Sequence, residues 1–362
     1  MESLMLKDNP VLNVYEDGTV DILDFNRLPF SLRIKDVSPE MYIRWIMGRT
    51  LQIDRQNAKE LLNRYRLPQY DRYRICKACR GFSLNDSYWI KEEYDTGTWK
   101  QRNLYENELS VSIIETSLSG RLHRVSHQVQ RHDYIEDVTP ELTTWGANAK
   151  AWIKEDGILY MHKIGINEVG ASAVLGALNI PHITYRLSTE TQIKQYVSEE
   201  IRAWLEGVGE AIVNSKLFTS EDVSFVSFDE FGQFCELYGA ESIEEAMKIE
   251  PYKYYEMQII DYILNNSDRH GQNWGFYMNN VTGRITGMAL HFDHDKAFNK
   301  NERIPSLTSP EPMTQEESAK RALHEVDIDF YNLLSMDKPE TMSDEQWSGV
   351  QQRTKELVES QV

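Results

Sequence analysis

The stretch NNSDRHGQNWGF, Asn265 to Phe276, gathers an acid, a base, a histidine and three asparagines directly behind the apolar run YYEMQIIDYIL. Polar residues after an apolar helix ordinarily form a surface loop, and Asp and Asn favour such turns for backbone reasons. Here Asp268 and Asn273 stand five residues apart. That pair suits phosphoryl transfer, in which a carboxylate orients the attacking hydroxyl and accepts its proton while a nearby amide oxygen holds magnesium on the phosphates. A short loop can aim both side chains into one place. A further carboxylate must reach the metal, and Asp293, twenty residues beyond Asn273 at the end of an expected strand, can supply it. Asp295 competes for that role, because residues two apart on an extended chain point to the same side.

Phosphates also need cations and backbone amides. Gly146, between Trp145 and Ala147 and ahead of a strand, lets the backbone approach an anion closely, and Lys150 and Lys163 can supply charge. A different chemistry, metal-dependent hydrolysis, would use His270, His291, Asp293, His294 and Asp295 as ligands. No HxxxH pair falls among those five residues to support it. Cys76 and Cys79 form a CxxC without a second pair or paired histidines at zinc spacing, so buried thiols are the expectation there.

The elements that must position these groups follow from patterning. Asp156-Gly157 between AKAWIK and ILYMHKI reads as a tight hairpin, with Lys163 near the end of the second strand. Asn167 is placed to cap a helix from about Glu168 to Leu178, stopped by Asn179 and Pro181. Strands near HITYRL and VSFVSF and a charged helix near 197 to 213 complete a small sheet-bearing lobe over residues 141–230. Residues 231–362 are mostly helical, with segments at 254 to 264, 315 to 324 and 343 to 358, while RITGMALHFDHDKAF reads as a hairpin strand ending in acids. Residues 1–140 form an accessory region of their own. Helices are expected there at 39 to 49, capped by Ser38, and at 55 to 65, and Trp89, Trp99 and Tyr105 are expected in its core.

With 57 acidic against 39 basic residues the formal charge is −18, which without a basic face disfavours direct binding of nucleic acid or anionic lipid. No run approaches a membrane span, the start MESLMLKDNP lacks a signal-peptide layout, and three cysteines are too few for a disulfide framework. A cytoplasmic location is expected.

NNSDRHGQN resembles the N-x-D-x-H-x-x-N catalytic loop of the HipA-like serine/threonine kinases, and HFDHDKAF resembles their metal-binding aspartate segment. WGANAK resembles the glycine loop of that family, and NEVGASAVLGALNIP resembles the helix after its nucleotide-binding lysine. The resemblance spans about 141 to 300. It implies an α+β, bilobal protein-kinase-like fold with a small sheet-bearing first lobe and a helical second lobe. It implies Asp268 as catalytic base, Asn273 and Asp293 as Mg2+ ligands, and Lys163 as the ATP-phosphate lysine, with Gly146, Ala147, Asn148, Lys150 and Glu168 completing the nucleotide site. His270 is implied to buttress the loop or Asp268, and Glu168 is placed to pair with Lys163. A loop hydroxyl before the glycine, Thr143 or Thr144, is the implied autophosphorylation site.

The activity expected is ATP- and Mg2+-dependent transfer to a Ser/Thr hydroxyl of a protein substrate, in a toxin–antitoxin or phage-linked setting with an antitoxin or regulatory partner. The alternative is a catalytically inactive kinase-fold protein that binds nucleotide and regulates.

Overall fold

The computed structural model describes residues 1–121, 139–301 and 303–361. Its contacts divide the chain into two compact units: Met1–Ile164 with Ser188–Phe225 and Met278–Ile285, and Gly165–Leu187 with Val226–Tyr277 and Thr286–Val362.

In the first unit, strand Glu2–Leu6 lies between Asn9–Val14 and Tyr88–Glu92, all antiparallel, with Val20–Ile22 outside Asn9–Val14. Helix Pro39–Gly48 starts where expected, since the Ser38 hydroxyl accepts the Met41 N–H at 3.3 Å and proline occupies the first turn. The hairpin of Lys150–Glu155 and Ile158–Ile164 turns at Asp156 (φ 49°) and Gly157 (φ 77°), the left-handed pair that a two-residue turn demands. Its second strand pairs on its other edge with Ile212–Lys216. Trp89, Trp99 and Leu104 from the first 140 residues share one apolar core with Trp152, Ile153, Leu159 and Ile212, and Tyr105 packs against it. Those aromatics are therefore core residues, and Phe82 stacks on Trp89 with centroids 5.3 Å apart. The helix expected at 197 to 213 ends at Gly207. Gly209 takes a left-handed φ of 73°, and the apolar residues beyond it are claimed by strand Ile212–Lys216.

The second unit is built on helix Pro251–Leu264, whose residues from Met257 to Leu264 are all buried. Ile259, Ile260 and Ile263 share a core with Val174 and Leu175 of helix Asn167–Ala177, Ala319 and Ala322 of Gln315–Ala322, and Val350 and Leu357 of Asp344–Ser360. Each such isoleucine, valine or leucine side chain contributes roughly 1.5 to 3 kcal/mol by leaving water. Asn167 does not cap its helix. It is the first helical residue, and its amide donates instead to the carbonyls of Asp295 and Ala297 at 3.1 and 3.2 Å. Asn179 does end that helix, in a left-handed conformation with φ 55°.

Candidate functional site

In the second unit, helix Pro251–Leu264 stops because Asn265 turns left-handed (φ 50°) and its amide donates to the carbonyls of Asn299 and Asn301 at 2.6 and 2.9 Å. The buried Asn266 amide then donates to Asp261 at 3.1 Å. Asp261, the second acid inside the apolar run, receives the Arg269 guanidinium at 2.8 to 3.1 Å. Arg269 also donates to the carbonyls of Asn273 and Phe292, at 2.8 and 2.9 Å. The loop closes on itself where the Asn273 amide nitrogen donates to the Asp268 carbonyl at 2.8 Å, which turns the amide oxygen the opposite way. Gly271 leaves room for the Asp229 carboxylate, which a Cβ there would displace. The Asp229 N–H donates to the Gly271 carbonyl at 3.1 Å, and Phe228 stacks on Trp274 with centroids 4.0 Å apart.

This frame leaves the Asp268 and His270 side chains each 40% exposed, with His270 Nε2 3.8 Å from the Asp268 carboxylate. His270 Nδ1 accepts the Gln272 N–H at 3.2 Å, so the ring braces the loop. Burial pushes the Asp268 carboxyl above the ordinary carboxylate range; the His270 ring opposes that shift, and the Asp295 and Asp293 carboxylates add to it.

Asp293 itself is left-handed, with φ 58°. The chain is therefore not extended from 293 to 295, and the two-residue alternation that set Asp295 beside Asp293 does not operate there. Two of the three histidines offered for a hydrolytic metal site are committed elsewhere: buried His291 meets Glu256 at 2.9 Å, and buried His294 lies beside Glu168. Among the described residues no three His, Cys, Asp or Glu side chains form a metal cage. Mg2+ takes one or two carboxylates together with substrate phosphates, so the hard oxygen donors of Asn273 and Asp293 fit it by chemistry.

Glu168 is fully buried, and its carboxylate accepts the His294 N–H at 3.0 Å. It thus braces the backbone beside Asp293, a duty that its place at a helix start did not reveal.

In the first unit, Gly146 has φ 113°, and the Lys150 ammonium sits where a Cβ would be. Lys150 and Lys163 are directly opposed across the hairpin, which puts both side chains on one face of the sheet. Both are buried. The Asn148 amide donates to the Ile164 carbonyl at 3.3 Å, and the Ala147 carbonyl accepts the Gln56 N–H at 2.9 Å. Arg55 is buried and donates to the Thr144 carbonyl at 3.1 Å and to Ser117 at 3.3 Å. Burial draws its guanidinium down to about 10, opposed by Glu141. The Thr143 hydroxyl is buried and donates to the Phe82 carbonyl at 2.5 Å. The Thr144 hydroxyl donates to the Pro140 carbonyl at 2.9 Å and accepts from the Trp152 indole at 3.0 Å.

Cys76 and Cys79 are both buried, and burial raises both thiols, Cys79 to about 11. They are core thiols rather than nucleophiles.

Arg269, Asp261 and Arg55 were not read as functional from the sequence. The available signal was an acid among the isoleucines of the apolar run followed eight residues later by an arginine within the polar loop. No such local signal marks Arg55, whose partners lie in segments distant along the chain.

No family model matches the sequence, and no curated protein sequence matches it. Solved structures do. The Helicobacter pylori proinflammatory kinase CtkA is 17% identical with a TM-score of 0.44, over 59% of this chain and 89% of its own. HipA, in the Shewanella oneidensis MR-1 toxin–antitoxin complex of HipA, HipB and operator DNA, is 11% identical with a TM-score of 0.52, over 99% of this chain and 96% of its own. Among the described residues no helix is long and apolar enough to cross a membrane. The fold expected from the catalytic-loop and aspartate motifs is the one observed: the chain has the α+β, kinase-like architecture of HipA.

Proposed function

We propose that this chain is a serine/threonine protein kinase that uses ATP and Mg2+. One observation carries the reading: a closed six-residue loop presents the half-exposed Asp268 carboxylate, of raised proton affinity, and turns the Asn273 amide oxygen away from its own anchoring bond. Asp268 accepts the proton of the acceptor hydroxyl as that oxygen bonds to the γ-phosphorus; the bond to the bridging oxygen breaks and ADP departs. Asn273 and Asp293 would hold Mg2+, which when bound neutralises charge on the phosphate oxygens. Lys150 and Lys163, paired on one face, and the amides around Gly146 take the ATP phosphates. His270 keeps the loop in shape.

The HipA structure contains HipB and operator DNA. For this chain we extend only the protein partner, an antitoxin or regulator, because a net charge of −18 opposes direct contact with DNA. The test is incubation of the pure protein with labelled ATP and Mg2+, with Asp268→Asn in parallel. Label transferred by the parent and not by the variant is expected. Nucleotide binding without transfer to itself or to a generic acceptor would make the chain a nucleotide-binding regulator instead.

A further inference from the structure

Asp293 is not a glycine, yet it is left-handed, a conformation that persists only where its surroundings impose it. Both peptide groups that flank it are held by buried charged side chains. The Phe292 carbonyl before it accepts from Arg269 at 2.9 Å, and the His294 N–H after it donates to Glu168 at 3.0 Å. Arg269 is 1% exposed and Glu168 is fully buried, so neither can relax towards water. We infer that Arg269 and Glu168 act as positioning residues that clamp Asp293 in its left-handed conformation, and that Arg269 registers Asn273 to the same frame. The inference deepens the kinase reading above and rests on it.

The guanidinium is suited to this because it is planar, so its nitrogens keep fixed separations. Nε and Nη2 engage Asp261, and Nη1 reaches both the Asn273 and the Phe292 carbonyl. One rigid group thereby sets the spacing between the two segments that carry the candidate metal ligands. Asp261 compensates the charge, and being on the buried helix Pro251–Leu264 it fixes where the guanidinium sits. An ammonium in its place can satisfy Asp261 but cannot span the same set of acceptors.

The experiment measures Mn2+ affinity in the presence of AMP-PNP, from the electron paramagnetic resonance signal of free Mn2+, alongside the ligand-free melt. Two variants are compared with the parent. Arg269→Lys keeps the charge opposite Asp261, and the double variant Asp261→Asn with Arg269→Met removes both charges so that no buried charge is left alone. In folded variants Mn2+ affinity should fall by about 10- to 100-fold, the usual effect of removing the partner that orients a metal ligand. Variants that melt like the parent and hold Mn2+ within about twofold of it overturn the clamp and leave the kinase reading standing. A parent that takes up no Mn2+ with AMP-PNP overturns the kinase reading, and the clamp with it.

Discussion

The two loops with candidate roles at phosphate are held by opposite means. The loop at 143–149, in the first unit, is tied down mostly by neutral bonds of its own hydroxyls and carbonyls, Thr143 to Phe82, Thr144 to Pro140 and Trp152, and Ala147 to Gln56, with one charged donor, buried Arg55, on the Thr144 carbonyl. The loop at 265–273, in the second unit, is held from inside by a buried ion pair, Asp261 with Arg269, and leaves Asp268 and His270 half exposed. Neutral hydrogen bonds contribute about 1 kcal/mol each and can be given up one at a time, whereas breaking one side of a buried ion pair costs roughly 3 to 5 kcal/mol. The first arrangement suits a loop that opens for a ligand. The second suits one whose side chains must keep fixed positions through a reaction.

The largest expected effect is at the exposed carboxylate of the rigid loop. Asp268→Asn keeps the shape and removes the proton acceptor, so transfer should fall by roughly 10² to 10⁴ while nucleotide affinity is retained. Single-turnover transfer and nucleotide titration on the same preparation separate the two. Transfer at the parent rate would mean that the loop is rigid for some other purpose.

The second effect concerns the unit that carries the softer loop. His162 is fully buried there, and burial holds its ring down to about 4. Its Nδ1 lies 2.9 Å from the Ser188 hydroxyl. The folded value lies below the unfolded value of about 6.5, so as pH falls the unfolded chain takes up the proton first. The contribution is complete above about pH 6.5 and is lost as pH falls towards 4, amounting to roughly 3 kcal/mol at 1.4 kcal/mol per unit. Urea midpoints at pH 7.5 and pH 5 should differ in the parent, and His162→Gln should flatten the difference. An unchanged slope in the variant would assign the acid sensitivity elsewhere.

Much of this architecture is legible in the residues themselves, because local rules carry it. Asp156-Gly157 specifies a left-handed turn, Ser38-Pro39 a helix start, and the apolar run before Asn265 a buried helix. The candidate site is legible at Asp268 and Asn273 for the same reason, since their spacing is set within one loop. What could not be read depends on partners distant in sequence. The place of Glu168 at a helix start says nothing of the bond its carboxylate accepts from the His294 N–H, which is a tertiary fact. Asp293 was expected at the end of an extended strand, and its left-handed turn appears only when Arg269 and Glu168 are seen on either side of it. The place of Lys163 near the end of a strand does not show how deeply it is buried. It is 1% exposed, so Lys163→Ala should lower the ligand-free melt as well as nucleotide affinity.

A smaller effect tests the glycine in the softer loop. At Gly146 φ is 113° and the Lys150 ammonium fills the place of a Cβ. Gly146→Ala must both strain the backbone and displace Lys150, at about 2 kcal/mol. The expected signature is weaker stabilisation by Mg-ATP in thermal melts, with a modest loss in the ligand-free protein. Full stabilisation by nucleotide would separate this loop from phosphate binding.

The smallest effect decides whether the softer loop opens. Thr144→Val removes the acceptor for the Trp152 indole and the donor to Pro140, at about 1 to 2 kcal/mol, visible as a shift in the urea midpoint. The same two bonds, and the buried bond from Thr143 to Phe82, occupy the hydroxyls expected to take phosphate. In the closed loop neither is available as an acceptor, so autophosphorylation there requires the loop to leave its seat first. Thr144→Val, whose loop is less firmly seated, should then accept phosphate on Thr143 faster than the parent does. A phosphate added at Thr143 would carry about −2 charges and keep the loop from reseating, which would make the modification inhibitory. Mass spectrometry of parent and variant after incubation with Mg-ATP reads this directly. Equal labelling of Thr143 in both would show that seating does not limit access, and no phosphate on either threonine in either protein would remove this loop from the list of acceptors.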